Sequence, residues 1–256
     1  MVVKDAGDDP DCTDGARMTA GVRWSAPGEV TRLLAGPGIG TVTEPGLGLA
    51  VGEPAIDPVP RRMILQALGE VSSADVVVNF SVPGGRAMSA QTTNSRLGII
   101  GGISILGASG VVRPFSTASY RASVVQQIDV AAARGERHMV LATGARSEAA
   151  AERCSPDLVP VCFVEVGDFT GIAVRRCGHH GIPAVTFVGM AGKIAELAAG
   201  VMMTHCHRSD VDTALLACLP VESGAPPVVV ETATATATAR HFFEACVTQS
   251  FLTPWF

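Results

Sequence analysis

The spacing of hydrophobic residues differs between the two halves of this 256-residue chain. In the first half, alternating apolar and polar residues predict strands at 15–24, 29–34 and 75–80 and a helix from Pro60 to about Leu68. In the second half, strand-like runs and helical segments follow one another in turn. The strands predicted there are 138–142, 161–166 and 184–188, and the helices are 116–134, 146–154, 171–177 and 191–199. This alternation predicts a parallel sheet with crossover helices.

One apolar segment, 94–110, is interrupted by five glycines and reads N-S-R-L-G-I-I-G-G-I-S-I-L-G-A-S-G. Each glycine costs a helix or strand about 0.5–1 kcal/mol, so a purely structural segment would avoid them. Glycine also lets a backbone turn sharply and approach a ligand closely. The segment is therefore either a cradle for a substrate or cofactor, or two buried strands joined by a glycine-rich turn.

The turns after the three predicted parallel strands also contain glycine, at 143–145, 167–171 and 189–193. In an open parallel sheet, ligands bind beyond the carboxyl ends of the strands, where helix N-termini face them. Asp168 can accept hydrogen bonds from a ribose diol or an ammonium group, and Lys193 can attract an anion. Lys193 can instead pair with Glu196 on a solvated helix.

Two common phosphate-binding motifs are absent. The glycines at 36–41 begin a Gly-x-Gly-x-x-Gly pattern, but its last position is Thr41. A phosphate loop around Lys193 would need glycine and a hydroxyl residue where the chain has Phe187 and Ile194.

Composition and charge narrow the class of protein. The formal net charge is -5 at pH 7 and the arginines form no basic stripe, which argues against nucleic-acid binding. Mean hydropathy is +0.33, yet the longest uncharged run, 97–112, is shorter than the ~18–20 residues of a membrane span. Charged residues occupy the place of a signal peptide. Seven cysteines without a Cys-x-x-Cys pair are typical of reduced proteins, so we predict a cytoplasmic location without a membrane span.

Three polar clusters are candidates for chemistry. Four aspartates crowd the opening turn at 5–11, without the spacing of a calcium loop. Histidine and cysteine cluster at 177–180 and at 205–207, but neither spacing matches a zinc module. We therefore predict no bound metal, a loop position for His179-His180 and a hydrogen-bonding or acid/base role for His205.

Five motifs occur in order along the chain. They are V-V-K-D-A-G-D-D-P-D, G-E-P-A-I-D-P-V-P-R-R-M, N-S-R-L-G-I-I-G-G-I-S-I-L-G-A-S-G-V-V-R-P, V-G-D-F-T-G and G-M-A-G-K-I-A-E-L-A-A-G-V-M-M-T-H. Together they closely resemble the cobalt-precorrin-5B C1-methyltransferases, the CbiD family. The likeness extends from Val2 to about Asp212 and resumes at Thr238. Family members are longer at the N-terminus, and the Thr-Ala repeat and aromatic tail of this chain are unlike theirs.

This resemblance implies a two-domain α/β fold, with an incomplete mixed α+β domain over 1–114 and a Rossmann-like parallel α/β domain over 115–256. It implies transfer of a methyl group from S-adenosylmethionine to carbon 1 of cobalt-precorrin-5B, an anionic cobalt-corrinoid. The product would be cobalt-precorrin-6A, in anaerobic cobalamin biosynthesis. Two alternatives stay open: a truncated relative that binds a tetrapyrrole without turnover, and a metal-dependent enzyme built on the His/Cys clusters. The sequence also leaves a homo-oligomer open.

We predict roles for residues in the matched motifs and in the turns after the strands. These roles are inferred from side-chain charge and from the backbone freedom of glycine. Those expected to hold the carboxylates of the macrocycle are Lys4, Arg61, Arg62, Arg96, Ser104 and Lys193. Those expected to hold the methyl donor are Gly101, Gly102, Gly144, Gly167, Asp168, Gly171 and Gly189. Those expected to handle the proton that methylation displaces are Asp8, Asp9 and His205.

Overall fold

The computed structural model describes residues 1–107, 116–203, 218, 222, 224–235 and 238–248. The fold is mixed α/β, as predicted. The chain divides into two compact units, Met1–Gly135 and Glu136–Phe256. The sequence placed the boundary after residue 114, whereas the helix Thr117–Ala133 belongs to the first unit.

The first unit is built on a four-stranded sheet. In chain order its elements are β1 (Val2–Val3), β2 (Arg17–Trp24), β3 (Arg32–Ala35), β4 (Gly38–Ile39), β5 (Thr41–Val42), α1 (Pro58–Val71), β6 (Val76–Ser81), α2 (Gly85–Ser89), β7 (Ile99–Ile100), β8 (Gly102–Ile103) and α3 (Thr117–Ala133). The strand order of the sheet is β1-β2-β6-β3, with β3 parallel to β6 and the other neighbours antiparallel. Two further pairs, β4 with β8 and β5 with β7, join strands of two residues each.

One face of the four-stranded sheet forms the core of the first unit. Val76, Val78 and Phe80 of β6 are buried in one cluster with Ile64 and Leu68 of α1. Apolar residues at alternate positions of β6 therefore meet the apolar side of the helix. The helix starts with Pro58 rather than at Pro60, because proline fits a first turn whose N–H groups have no helical partner.

The second unit contains the predicted parallel sheet. Its elements are β9 (His138–Ala142), α4 (Ala145–Cys154), a 3₁₀ turn (Pro160–Cys162), β10 (Phe163–Glu165), α5 (Thr170–His179), β11 (Ala184–Val188), α6 (Ala191–Ala198), α7 (Pro227–Ala235) and α8 (Ala239–Thr248). Strand β9 lies between β10 and β11 and is parallel to both. Met139 to Ala142 of β9 are at most 1% exposed, as expected of a central strand covered on both faces.

The end of helix α5 and the length of the helices also bear on the predictions. Helix α5 continues through His179, so the predicted loop position is wrong for this residue. The His179 ring lies edge to face with that of His180, with 5.3 Å between the ring centroids. Within the described part of the chain, no helix combines the length and the hydropathy needed to cross a bilayer.

Candidate functional site

The carboxyl ends of β9, β10 and β11 meet at one edge of the second unit's sheet. The backbone N–H of Thr143, just after β9, donates to the Val188 carbonyl at the end of β11 (3.1 Å). The next residue, Gly189, packs closely on this turn, since a Cβ there would lie 3.0 Å from Thr143 Cγ2. Gly144 is different, because a Cβ at that position would meet no atom of the described residues within 4 Å. The start of α4 is therefore open beside Gly144, whereas Gly189 has a packing role.

An ion pair crosses the end of the central strand. Lys193 Nζ, in the first turn of α6, lies 3.3 Å from Asp168 Oδ1 in the turn after β10. Because β9 lies between β10 and β11, this contact spans the carboxyl end of β9. Lys193 Nζ also lies 3.4 Å from Glu196 Oε2. The two predicted site residues are thus brought together, and the alternative pairing with Glu196 exists beside their contact.

The start of α5 is closed by a later part of the chain. The Gly171 N–H donates to the Met202 carbonyl (3.0 Å), and a Cβ at Gly171 would lie 2.8 Å from Met202 Cβ. Gly171 therefore lets the backbone at Met202 approach. Gly167 adopts a left-handed φ of 51° in the preceding turn. Thr170 is 2% exposed, and its hydroxyl makes no hydrogen bond to the described residues.

The glycine-rich segment of the first unit forms the short strands β7 and β8, joined at Gly101, which has a φ of 95°. Gly102 lies against Gly38 so closely that a Cβ would be 2.1 Å from the Gly38 carbonyl oxygen. The buried Asn94 amide donates to the Gly102 carbonyl (3.0 Å), and the Ser104 hydroxyl donates to Asn94 Oδ1 (3.4 Å). As far as residue 107, the segment has the form of strands joined by a glycine turn; the rest of 94–110 lies outside the described residues.

The aspartate-rich loop is held by its own side chains. Lys4 Nζ donates to Asp11 Oδ2 and to Thr13 Oγ1 (2.6 Å), so its charge is engaged within the loop. Asp8 is exposed and Asp9 is partly buried. The third predicted proton-handling residue, His205, lies outside the described residues. Among those that the structure describes, no group of His, Cys, Asp and Glu is arranged to hold a metal ion.

The contact between Lys4 and Asp11 predicts a pH-dependent stability. Burial alone would raise the pKa of Asp11, but hydrogen bonds from Lys4 and Thr13 hold it below its ordinary value of 3.8. A carboxylate with a lowered pKa stabilises the fold above pH 3.8, and this contribution disappears as the pH falls through the folded-state pKa. Asp11→Asn should therefore lower the free energy of unfolding by about 1–2 kcal/mol at pH 7.

Urea denaturation at a series of pH values tests this expectation. The difference between Asp11→Asn and wild type should stay constant down to about pH 5 and shrink below pH 3.8. Asp5→Asn is the matched control, because the Asp5 carboxylate accepts the Gly7 N–H (2.9 Å) in an exposed turn. A difference that persists unchanged in acid would contradict the role of the Asp11 charge.

The predicted arginines differ in their surroundings. Arg61 lines a cavity of about 870 Å³ in the first unit. Its Nη2 donates to Glu53 Oε2, while its Nε is buried without a hydrogen-bond partner among the described residues. Arg62 is exposed. Arg96 is partly buried and makes an interaction of its own.

Comparisons with known proteins place the chain in a family. The CbiD family model matches residues 1–114. A protein from Variovorax paradoxus named cobalt-precorrin-5B C(1)-methyltransferase is 49% identical over 248 residues, which are 94% of this chain and 68% of that protein. The chain belongs to the CbiD family.

Other relatives have the same name. The Salinispora tropica protein is 59% identical over 95% of this CbiD chain, and the Thermus thermophilus protein is 47% identical over 95% of it. The CbiD chain spans 65% of the length of the Salinispora relative and 66% of the Thermus one. A solved structure of a cobalamin biosynthesis protein (CbiD) from Archaeoglobus fulgidus is 25% identical, with a TM-score of 0.38 over 78% of this chain and 63% of that one.

Several polar side chains near the candidate sites of this CbiD chain were not predicted from its sequence. Thr143 and Ser147 bring their hydroxyl oxygens within 3.4 Å at the start of α4, and Thr170 has a buried hydroxyl at the start of α5. Thr143 and Thr170 lie in the predicted glycine turns, but nothing in the sequence singles out their hydroxyl groups. Asn79 could have been noticed, because it interrupts the otherwise apolar run V-V-V-N-F of β6. A polar side chain at that point indicates a face of the sheet that is not core.

Proposed function

We propose that this CbiD chain carries the methyltransferase activity for which its relatives are named, methylation of carbon 1 of cobalt-precorrin-5B to give cobalt-precorrin-6A. The observation that supports the proposal is the identity of 47–59% to four proteins of that name over 95% of the chain. Its place in corrin-ring biosynthesis and its cytoplasmic location belong to the same proposal.

The proposed methyl donor is S-adenosylmethionine, held at the carboxyl edge of the second unit's sheet. We take this unit to be a Rossmann-like domain and the first to be a mixed α+β domain. The arrangement suits the donor in three respects: the open backbone at Gly144, the Asp168 carboxylate, and the buried Thr170 hydroxyl without a partner in the described chain. When bound, S-adenosylmethionine supplies a methyl group already activated by its sulfonium charge, so no covalent nucleophile is required of the protein.

The proposed roles in donor binding, macrocycle binding and proton transfer follow from the charge and backbone freedom of the residues. Asp168 accepts hydrogen bonds from the ammonium group or ribose of the donor, while Gly144, Gly167, Gly171 and Gly189 shape the turns around it. Carboxylates of the macrocycle bind Arg and Lys side chains, for which Lys4, Arg61, Arg62, Arg96 and Lys193, with Ser104, are the candidates. Asp8, Asp9 and His205 are the candidates for accepting the displaced proton. Holding donor and acceptor in line and away from water supplies about 7–11 kcal/mol of the barrier reduction.

A single-turnover assay tests the proposal. The purified chain is incubated without oxygen with cobalt-precorrin-5B and methyl-labelled S-adenosylmethionine, and the product is analysed by mass spectrometry and NMR. One labelled methyl group on carbon 1 is the expected result. Binding of the macrocycle with neither donor binding nor transfer would overturn the proposal in favour of a non-catalytic tetrapyrrole-binding protein.

A further inference from the structure

We propose that the cavity of the first unit is the site for a flat, polyanionic ring, which lies against the sheet with its carboxylates at three arginines. The cavity measures about 870 Å³, and Arg23, Arg32, Arg61, Gly21 and Asn79 are among its lining residues. Its size falls within the range of about 300–1,000 Å³ that small-molecule sites occupy. The identity of the ring as cobalt-precorrin-5B rests on the proposed function, but the site itself does not.

The floor of the cavity is set by the register of the sheet. Cross-strand partners lie on the same face, so Gly21 of β2, Asn79 of β6 and Leu34 of β3 form one row. Gly21 has no side chain and is exposed, and Asn79 offers an exposed amide at the centre of the sheet. The middle of the floor is therefore low and polar. A planar ligand can approach the backbone there and hydrogen-bond to the amide.

The rim is positively charged. Arg23 and Arg32 are both directly opposite Val77, one on each side of β6, so they flank the floor on the same face. The Arg32 side chain is exposed and makes no hydrogen bond to the described part of the chain, while its backbone belongs to β3. Arg23 holds Glu29 in two hydrogen bonds of 3.0 and 3.2 Å. Arginine forks of this kind bind carboxylates in two parallel hydrogen bonds.

Arg61 completes the rim from α1. Its buried Nε keeps a donor that no described residue satisfies, although its Nη2 contacts Glu53. The lining therefore contains three arginines and one glutamate, and Glu29 pairs with Arg23 beside it, which leaves a net positive charge in a chain whose net charge is -5. Positive charge gathered in one cavity of an acidic protein favours a small polyanion, whereas a nucleic acid would need an extended basic stripe.

Binding of uroporphyrin, a flat ring with acetate and propionate groups, tests the site by titration calorimetry. Gly21→Val places a branched side chain on the floor and leaves all three arginines in place. The backbone there permits it, since among the described residues a Cβ at Gly21 would meet only the Asn79 carbonyl oxygen, at 3.9 Å, and valine is favoured in strands. We expect this variant to keep the thermal midpoint of the wild type and to bind uroporphyrin at least tenfold more weakly.

Arg32→Gln is the second variant, because Arg32 is exposed and its replacement does not disturb the core. It should weaken uroporphyrin binding by about ten- to a hundredfold and coproporphyrin, which lacks the acetate carboxylates, by less. Arg121→Gln, at an exposed position on α3 away from the cavity, should change neither. If tripolyphosphate displaces uroporphyrin while Gly21→Val binds as tightly as wild type, the arginines act only as a charge cluster and the proposal falls.

Measuring methyl transfer by the wild type and by Gly21→Val distinguishes a failure of the proposed ring site from a failure of the proposed function. If the wild type methylates cobalt-precorrin-5B and Gly21→Val does so with an unchanged KM, the site is wrong and the function stands. If the wild type does not methylate while Gly21→Val still loses uroporphyrin binding, the function is wrong and the ring site stands.

Discussion

Replacing Gly102 with alanine is expected to lower the free energy of unfolding of this chain by about 3 kcal/mol, the upper end of the usual cost of overpacking. The added Cβ would lie 2.1 Å from the carbonyl carbon and oxygen of Gly38 and 2.6 Å from the nitrogen of Ile39. These are backbone atoms, so no side chain can move aside. The parallel pair of β4 and β8 would have to separate, although Ile39 and Ile103 of that pair are buried. Urea denaturation followed by circular dichroism measures the loss.

Gly101→Ala is the matched control for this prediction. Within the part of the chain that the structure describes, a Cβ at Gly101 would meet only the Ile39 carbonyl oxygen, at 3.8 Å, but the residue has a φ of 95°. Its replacement should cost about 1–2 kcal/mol through backbone strain alone. Gly102 itself has no left-handed φ, so a loss there no larger than the loss at Gly101 would contradict the predicted clash with Gly38. Lost activity in Gly102→Ala would in any case report the fold of the first unit before it reported a missing ligand contact.

The elements that the sequence predicted best are those whose pattern is local. The strands His138–Ala142 and Ala184–Val188 have the predicted bounds, and helix α3 ends within one residue of its predicted limits. Strand β9 is a buried, continuous apolar run, so its signal lies within the element itself. The parallel arrangement followed from their alternation.

Contacts between distant segments could not be predicted in this way. The two-residue strands β4 and β8 exist because Gly38 and Gly102 approach each other, and neither segment alone indicates this. The same holds for Gly171, whose partner Met202 lies beyond another strand and helix. Helix α3 was assigned by its position in sequence, whereas its packing on the first unit decides where it belongs. The sequence shows where the glycines are, but not which distant segment packs against each of them.

The contact between Asp168 and Lys193 leads to the second large effect. Asp168→Asn should weaken the binding of S-adenosylmethionine by about ten- to a hundredfold, the usual range for one hydrogen bond to a charged group. The variant keeps the shape of the turn and loses the charge that attracts a cationic donor. Calorimetric titration measures the change, and Asp157→Asn serves as a surface control, because Asp157 is exposed and lies before β10.

Substitutions of Lys193 test whether the Asp168 carboxylate binds the donor or only stabilises the turn. Lys193 Nζ lies 3.3 Å from Asp168 Oδ1, so it competes with any cation for the same oxygen. Lys193→Met should therefore bind S-adenosylmethionine more tightly than wild type, whereas Lys193→Arg, which retains the charge, should not. S-adenosylhomocysteine has no sulfonium charge, so its affinity should gain less from Lys193→Met. Equal weakening in Asp168→Asn and Lys193→Met would instead mean that the ion pair supports the turn, and the donor would have to be held by the backbone and hydroxyl groups at Gly144 and Thr170.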